Sequence, residues 1–301
     1  MKQIKKAAMI SLISILSCTD VYAWGSKRPT PPPTPTPPSP PTIPTVPPAP
    51  TPNSSYIEQI KSVAASSSCA AYSWSSRGKA PAAYIKGMAL NYARSYCRFK
   101  DAASAPVNHV NIMSAKAGDA AKDALAHYSS TFSNSGLAVN AAGIDSLRAL
   151  WTLGVGLGMR ESSGKYCEGR DMSASNTSAS TAEAGMFQTS YDSISGNAEL
   201  TVLYNEYKSG TKSCFLEVYK AGVSCSDTSN AGSGEGLAFQ KLNKSCPAFA
   251  AEYAMMMLRV RRNHYGPINR KEAEVKNVCT TMLKSIESII DNDMNACHDV
   301  L

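Results

Sequence analysis

The chain has 301 residues, 43% of them hydrophobic, with 30 Lys and Arg against 23 Asp and Glu for a formal charge of +7. Lys2, Lys5, Lys6, Lys27 and Arg28 supply much of that excess before any globular pattern begins, so the remainder is nearer neutral. No stripe of cations interleaved with aromatics is present, which argues against a nucleic-acid surface, and no run of ~20 apolar residues offers a membrane span.

In chain order, Lys2, Lys5 and Lys6 precede an apolar run at 7–17, and Val21, Tyr22 and Ala23 give a small-residue cleavage site. This predicts an export signal over 1–23. Ile15, Leu16, Ser17 and Cys18 also resemble a lipobox, which would end the signal at 17 and tether the protein to a membrane through lipidated Cys18. Residues 24–53 form a linker rich in Pro, Thr and Ser, a composition that favours extended polyproline II chain over a packed core. The rest, 54–301, reads as one domain.

Within it, apolar spacing predicts helices over 82–99, 144–159 and 275–290, and residues 249–260 are apolar nearly all round, as in a central buried helix. Asp145 or Ser146 is the expected cap of the second helix. Met255, Met256 and Met257 read as core filler. The stretch 162–195 differs: rich in Gly, Ser, Thr, Asn and Ala and without period, it is the expected functional loop. The fold class expected is mainly α, with a small sheet or hairpin near the cleft.

Setting Cys18 aside, eight cysteines remain: Cys69, Cys97, Cys167, Cys214, Cys225, Cys246, Cys279 and Cys297. An even set on an exported chain predicts four disulfides and an oxidising compartment. Eight cysteines allow 105 connectivities, and sequence does not choose among them. Cys167 lies inside the functional loop, where a bridge would brace it.

Glu161 stands at the end of an apolar helix, in the run Leu157-Gly158-Met159-Arg160-Glu161-Ser162-Ser163-Gly164. Gly154, Gly156 and Gly158 leave room for close backbone or ligand approach. A carboxyl held against apolar surroundings keeps its proton to higher pH, as a general acid must; a plain surface acid at a helix end is the competing account. Arg160-Glu161-Ser162 with Gly164, followed by Ala184-Gly185-Met186-Phe187-Gln188, resembles the lysozyme superfamily, in particular goose-type lysozymes and soluble lytic transglycosylases. The likeness spans 157–191, with a weaker echo at His264-Tyr265-Gly266.

That resemblance implies a lysozyme-like α+β fold and cleavage of the β-1,4 MurNAc–GlcNAc bond in peptidoglycan glycan strands. Glu161 is then the catalytic acid, and Gln188, Tyr265 and Ser162 are substrate-binding residues. Ser190 stands where goose-type relatives often carry an aspartate. The second carboxylate is therefore open among Asp171, Glu183 and Asp192, with Asp171 the first choice as base. Hydrolysis is favoured over the anhydro-forming transglycosylase route, because Glu168, Asp171 and Glu183 crowd the loop. Action on deacetylated glycan, and a peptidoglycan-binding protein without chemistry, stay open beside it. No cofactor or metal is implied, and the expected form is a monomer. The Ser-x-x-Lys pattern at Ser162 to Lys165 recurs at Ser76 to Lys79 and Ser209 to Lys212 without its companion motifs. His109, His127, His264 and His298 lack metal-ligand spacing.

Overall fold

The computed structural model describes residues 55–101, 108–170 and 177–301. The export segment with Cys18, the linker and Asp171 lie outside the described residues. Among those described, the chain is mainly helical. Its one sheet is an antiparallel hairpin of Ser73–Trp74 and Gly78–Lys79, with Ser73 opposite Lys79.

Three helices form the centre. Pro247–Val260 is buried from Pro247 through Arg259, and its three methionines are core, fully out of solvent. It starts two residues before the apolar run suggests, because proline suits a first turn, where its missing N–H costs nothing. Ile144–Ser162 is buried on every side from Ser146 through Met159. The third, Ala82–Lys100, is buried from Gly87 through Cys97 and packs on both, and against it and Ile144–Ser162 lies Asn277–Asn292. The latter turns one face inward through Cys279, Met282, Leu283, Ile286 and Ile290, the spacing expected of a half-buried helix. No described helix is long and apolar enough to cross a membrane.

The start of Ile144–Ser162 corrects the expected cap. Gly143 holds the capping position at φ 140°, with no side chain accepting from the helix. Asp145 instead pairs with Arg148 at 2.5 Å, and the Ser146 hydroxyl donates to the Ala141 carbonyl at 2.7 Å. Asp145 still places a negative charge in the first turn, where the helix dipole favours it.

The three glycines of this helix are filled by protein. A Cβ at Gly154 would meet the Met255 side chain at 2.4 Å, one at Gly156 the Glu274 carbonyl oxygen at 2.1 Å, and one at Gly158 the Tyr84 hydroxyl at 2.4 Å. The glycines thus let neighbours press against the helix from both sides, and this close fit fixes where its C-terminal end emerges.

All eight domain cysteines pair, as Cys69–Cys279, Cys97–Cys297, Cys167–Cys225 and Cys214–Cys246. Two of the bridges span 210 and 200 residues of sequence and tie the ends of the domain together. Bridges closing such long loops remove much chain entropy from the unfolded state. Four disulfides accord with an oxidising compartment.

Candidate active site

The Ile144–Ser162 helix runs three residues past the periodic apolar pattern, which brings Arg160, Glu161 and Ser162 into its last turn. It stops where Ser163 takes left-handed geometry at φ 56°, its N–H reaching the Met159 carbonyl at 3.0 Å, while Gly164 N–H reaches Gly158 at 3.1 Å. These bonds satisfy carbonyls that a helix end leaves open. Gly164 then passes so close to the Tyr84 ring that a Cβ would fall 2.7 Å from it.

The turn 184–189 faces this helix end. Ala184 and Thr189 pair as an antiparallel bridge, and Gly185 supplies the positive φ, 77°, that the bend requires. Met186 and Phe187 point into the core and are fully buried. Gln188 is left on the other side with φ 47°. Its amide donates to the Gly185 carbonyl at 2.8 Å and the Gly169 carbonyl at 3.2 Å. Ser162 joins helix to turn: its hydroxyl donates to the Met186 carbonyl at 2.9 Å and the Gly158 carbonyl at 3.2 Å.

A third segment completes one wall. Cys167 is bonded to Cys225, Gly169 N–H donates to the Asp227 carbonyl at 2.9 Å, and the Glu168 carbonyl accepts from Gly185 N–H at 2.9 Å. From the hairpin comes Arg77, which donates to the Arg160 carbonyl and lines the cleft together with Pro267 and Arg270.

Between these elements lies a polar cleft of about 380 Å³. Three carboxylates, Glu161, Glu168 and Glu183, share it with four guanidinium groups, from Arg77, Arg160, Arg170 and Arg270, and with Gln188. One oxygen of Glu168, Oε2, is buried without a hydrogen bond. An open groove of about 440 Å³, lined by Tyr166, Leu216, Lys241 and Lys244 among others, has no Asp or Glu in its lining.

Glu161 is half-buried. Burial pushes its pKa up, the negative charge of Glu183 pushes it further, and Arg77, Arg270 and Arg160 pull it back, leaving it at about 8. Its carboxyl therefore holds a proton at neutral pH. Glu272, a short way off, shows what a partner does instead. Arg270 bonds both its oxygens, at 2.8 and 3.0 Å, Arg160 adds a third contact at 3.0 Å, and its pKa drops to about 2.

The residues expected from sequence divide. Glu161 and Gln188 line the cleft. Ser162 does not: it is 5% exposed and its hydroxyl bonds main-chain carbonyls, so it braces the site and cannot reach a ligand in this geometry. Tyr265 is 1% exposed and sits behind the wall, with its hydroxyl unpaired among the described residues. Burial raises its pKa well above the usual value, and the charges of Glu161 and Glu183 add to that, which locates it near both. Burial lowers the pKa of its neighbour His264, which bonds the Gln188 backbone.

Of the second carboxylates, Asp171 lies outside the described residues. Asp192 is exposed and takes the Ser190 hydroxyl at 2.5 Å; Glu183 is the one in the cleft. Arg77 and Arg270 carry no local sequence signal. Arg77 lies 83 residues before Arg160, and only the fold brings it there. Comparisons with protein-family models, with curated proteins and with solved structures find no match to this chain.

Proposed function

We propose that this domain cleaves the β-1,4 glycosidic bonds of peptidoglycan glycan strands, with Glu161 as the general acid. One observation carries the reading: Glu161 is a carboxylic acid that stays protonated to about pH 8, in a cleft that also holds the carboxylate of Glu183. Glycosidic cleavage needs a proton on the leaving oxygen, and hydrolysis needs a second carboxylate beside the reacting carbon. An acid kept protonated by its surroundings, with a second glutamate in the same cleft, matches that division of labour.

In this scheme Glu161 donates its proton to the bridging oxygen as the C–O bond breaks. Glu183 takes the proton of the attacking water, or steadies the oxocarbenium-like centre. Gln188, its amide nitrogen already fixed by two carbonyls, presents its remaining oxygen to sugar hydroxyls. The arginines suit a strand bearing carboxylates, as peptide-substituted MurNAc does, better than one bearing free amines. Export and monomeric action are part of the same proposal.

The test is wall lysis by the purified domain and by Glu161→Gln. The amide keeps the shape and cannot donate the proton. Expected is a loss of about 10²–10⁴-fold, within the usual contribution of general acid catalysis; lysis at the parent rate sinks the assignment. Mass spectrometry of the products then separates reducing-end MurNAc, expected for hydrolysis, from 1,6-anhydro ends. The latter would leave Glu161 as the acid and remove Glu183 as the base.

A further inference from the structure

Arg77 occupies the tip of the hairpin, and the hairpin is fastened in place. Tyr72 Oη and Ser75 N–H donate to the two oxygens of Glu274 at 2.9 and 2.7 Å. Lys276 closes on the same carboxylate at 2.9 Å. Cys69, just before the hairpin, is bonded to Cys279, and Trp74 is buried at 3% exposure. Ser76 and Gly78, at φ 58° and 70°, make the tight bend that turns Arg77 out from this base.

From there the guanidinium reaches the helix end that carries the acid. Nη2 donates to the carbonyl of Arg160, the residue immediately before Glu161, and the same side chain lines the cleft. A helix C-terminus leaves its last carbonyls open and carries partial negative charge, so a cation bonded there both satisfies an acceptor and steadies the last turn.

The other groups facing Glu161 come from four elements. Arg160 is on its own helix, Glu183 precedes the 184–189 turn, Glu168 and Arg170 lie on the disulfide-braced segment, and Tyr265 and Arg270 flank the short helix Gly266–Asn269. The charges of Arg160 and Arg270 are partly cancelled, since both bond Glu272. Arg77 bonds a neutral carbonyl, so its charge is not cancelled in that way.

We propose that Arg77 is a positioning residue for Glu161: anchored on the Arg160 carbonyl, it holds a guanidinium charge at the helix end that carries the acid. Of the three cations that draw the proton affinity of Glu161 down against burial and Glu183, Arg77 acts most strongly. The role rests on Glu161 being the acid of the proposed reaction, but its test needs no turnover. The Glu161 carboxyl is titrated by carbon-13 NMR in the parent protein, with Glu161→Gln identifying the signal, and then in Arg77→Gln and Arg77→Lys.

Arg77→Gln removes the charge, and the midpoint is expected to rise by about half a unit to one unit. Arg77→Lys keeps the charge and is expected to stay within about 0.3 units of the parent. Arg77 is exposed, so both variants retain the fold, and Arg77→Met supplies a second uncharged form. The alkaline limb of the wall-lysis profile moves with the midpoint. A midpoint unchanged in Arg77→Gln, or a shift reproduced equally by Arg77→Lys, overturns the proposal. Absence of wall lysis in the parent sinks the enzymatic reading and leaves the titration result standing.

Discussion

Two glutamates shielded from water meet opposite fates in this protein. Glu252 lies in the central helix Pro247–Val260, fully out of solvent. Arg98 pairs with one of its oxygens, and Tyr207 donates to the other at 2.6 Å. Tyr207 is itself held by Arg94 at 2.9 Å, and Arg94 stacks over the Phe215 ring at 4.1 Å. Burial alone would raise the pKa of Glu252, but the charges of Arg98, Lys212 and Arg94 and the Tyr207 bond outweigh it and hold it at about 2. Glu161 is less buried, yet it sits near 8. Its cations act on it by charge across an open cleft, and the first charge to bear on it is another carboxylate. Burial raises both, and whether partners outweigh it decides the protonation. One carboxyl is held toward its anionic form inside the frame, and the other is pushed toward its protonated form.

The largest effect that tests this contrast is on stability. Glu252→Gln leaves the half-buried Arg98 without its counter-charge, and breaking a pair whose acid is fully buried costs about 3–5 kcal/mol. Urea unfolding at neutral pH measures it. Because the folded pKa of Glu252 is depressed, the stability it contributes is present above pH 4.5 and is lost as pH falls through about 2. The variant should therefore lose its deficit relative to the parent in strong acid. A neutral substitution at pH 7 would break the comparison.

Glu161→Gln should go the other way. The folded pKa of Glu161 is raised, so its contribution to stability is complete below pH 4.5 and is lost as pH rises through about 8. Replacing it with a group that never ionises should raise the melting temperature over the parent, with the gap widening from pH 5 to pH 9. Allowing for solvent screening at a half-buried site, the gain is on the order of 2 kcal/mol at the alkaline end. A pH-independent difference would mean that Glu161 is not protonated by its surroundings.

Glu183→Gln sharpens the same point with a smaller shift. Removing the neighbouring negative charge should lower the Glu161 midpoint by about one unit, near 1.4 kcal/mol. Under the hydrolytic scheme it also slows turnover by at least about 10-fold. A lowered midpoint with full activity would keep the electrostatic pairing and move the base to another acid of the loop, Asp171 first.

Much of this is legible in the chain. Helical spacing marks 82–99, 144–159, 249–260 and 275–290 to within a few residues of the observed helices, because one-sided or all-round burial leaves a period in the residues themselves. The end of the second helix is less legible: Arg160, Glu161 and Ser162 are polar, and hydrogen bonds to the 163–164 turn carry the helix past its apolar pattern. Its beginning misleads for a related reason. Asp145 and Ser146 are good capping residues by type, but Arg148 and the Ala141 carbonyl compete for them. Ser162 shares that ambiguity, since a hydroxyl beside an acid reads as ligand-facing until its carbonyl partners are located.

By itself, then, the sequence determined a mainly helical domain, an even set of eight cysteines and an acid at the end of an apolar helix before a polar loop. These follow from local composition and spacing. Only the tertiary structure decided the four disulfide pairings, the use of Gly154, Gly156 and Gly158 as contacts for Met255, Glu274 and Tyr84, and the meeting of Arg77, Glu183 and Arg270 around Glu161. It also decided that the pKa of Glu252 is drawn down while that of Glu161 is pushed up. Both are glutamates on apolar helices, and what separates them is the set of charges that distant segments bring within range. Coulomb interactions depend on separation in space and on how much water lies between, and neither quantity is written in the order of the residues.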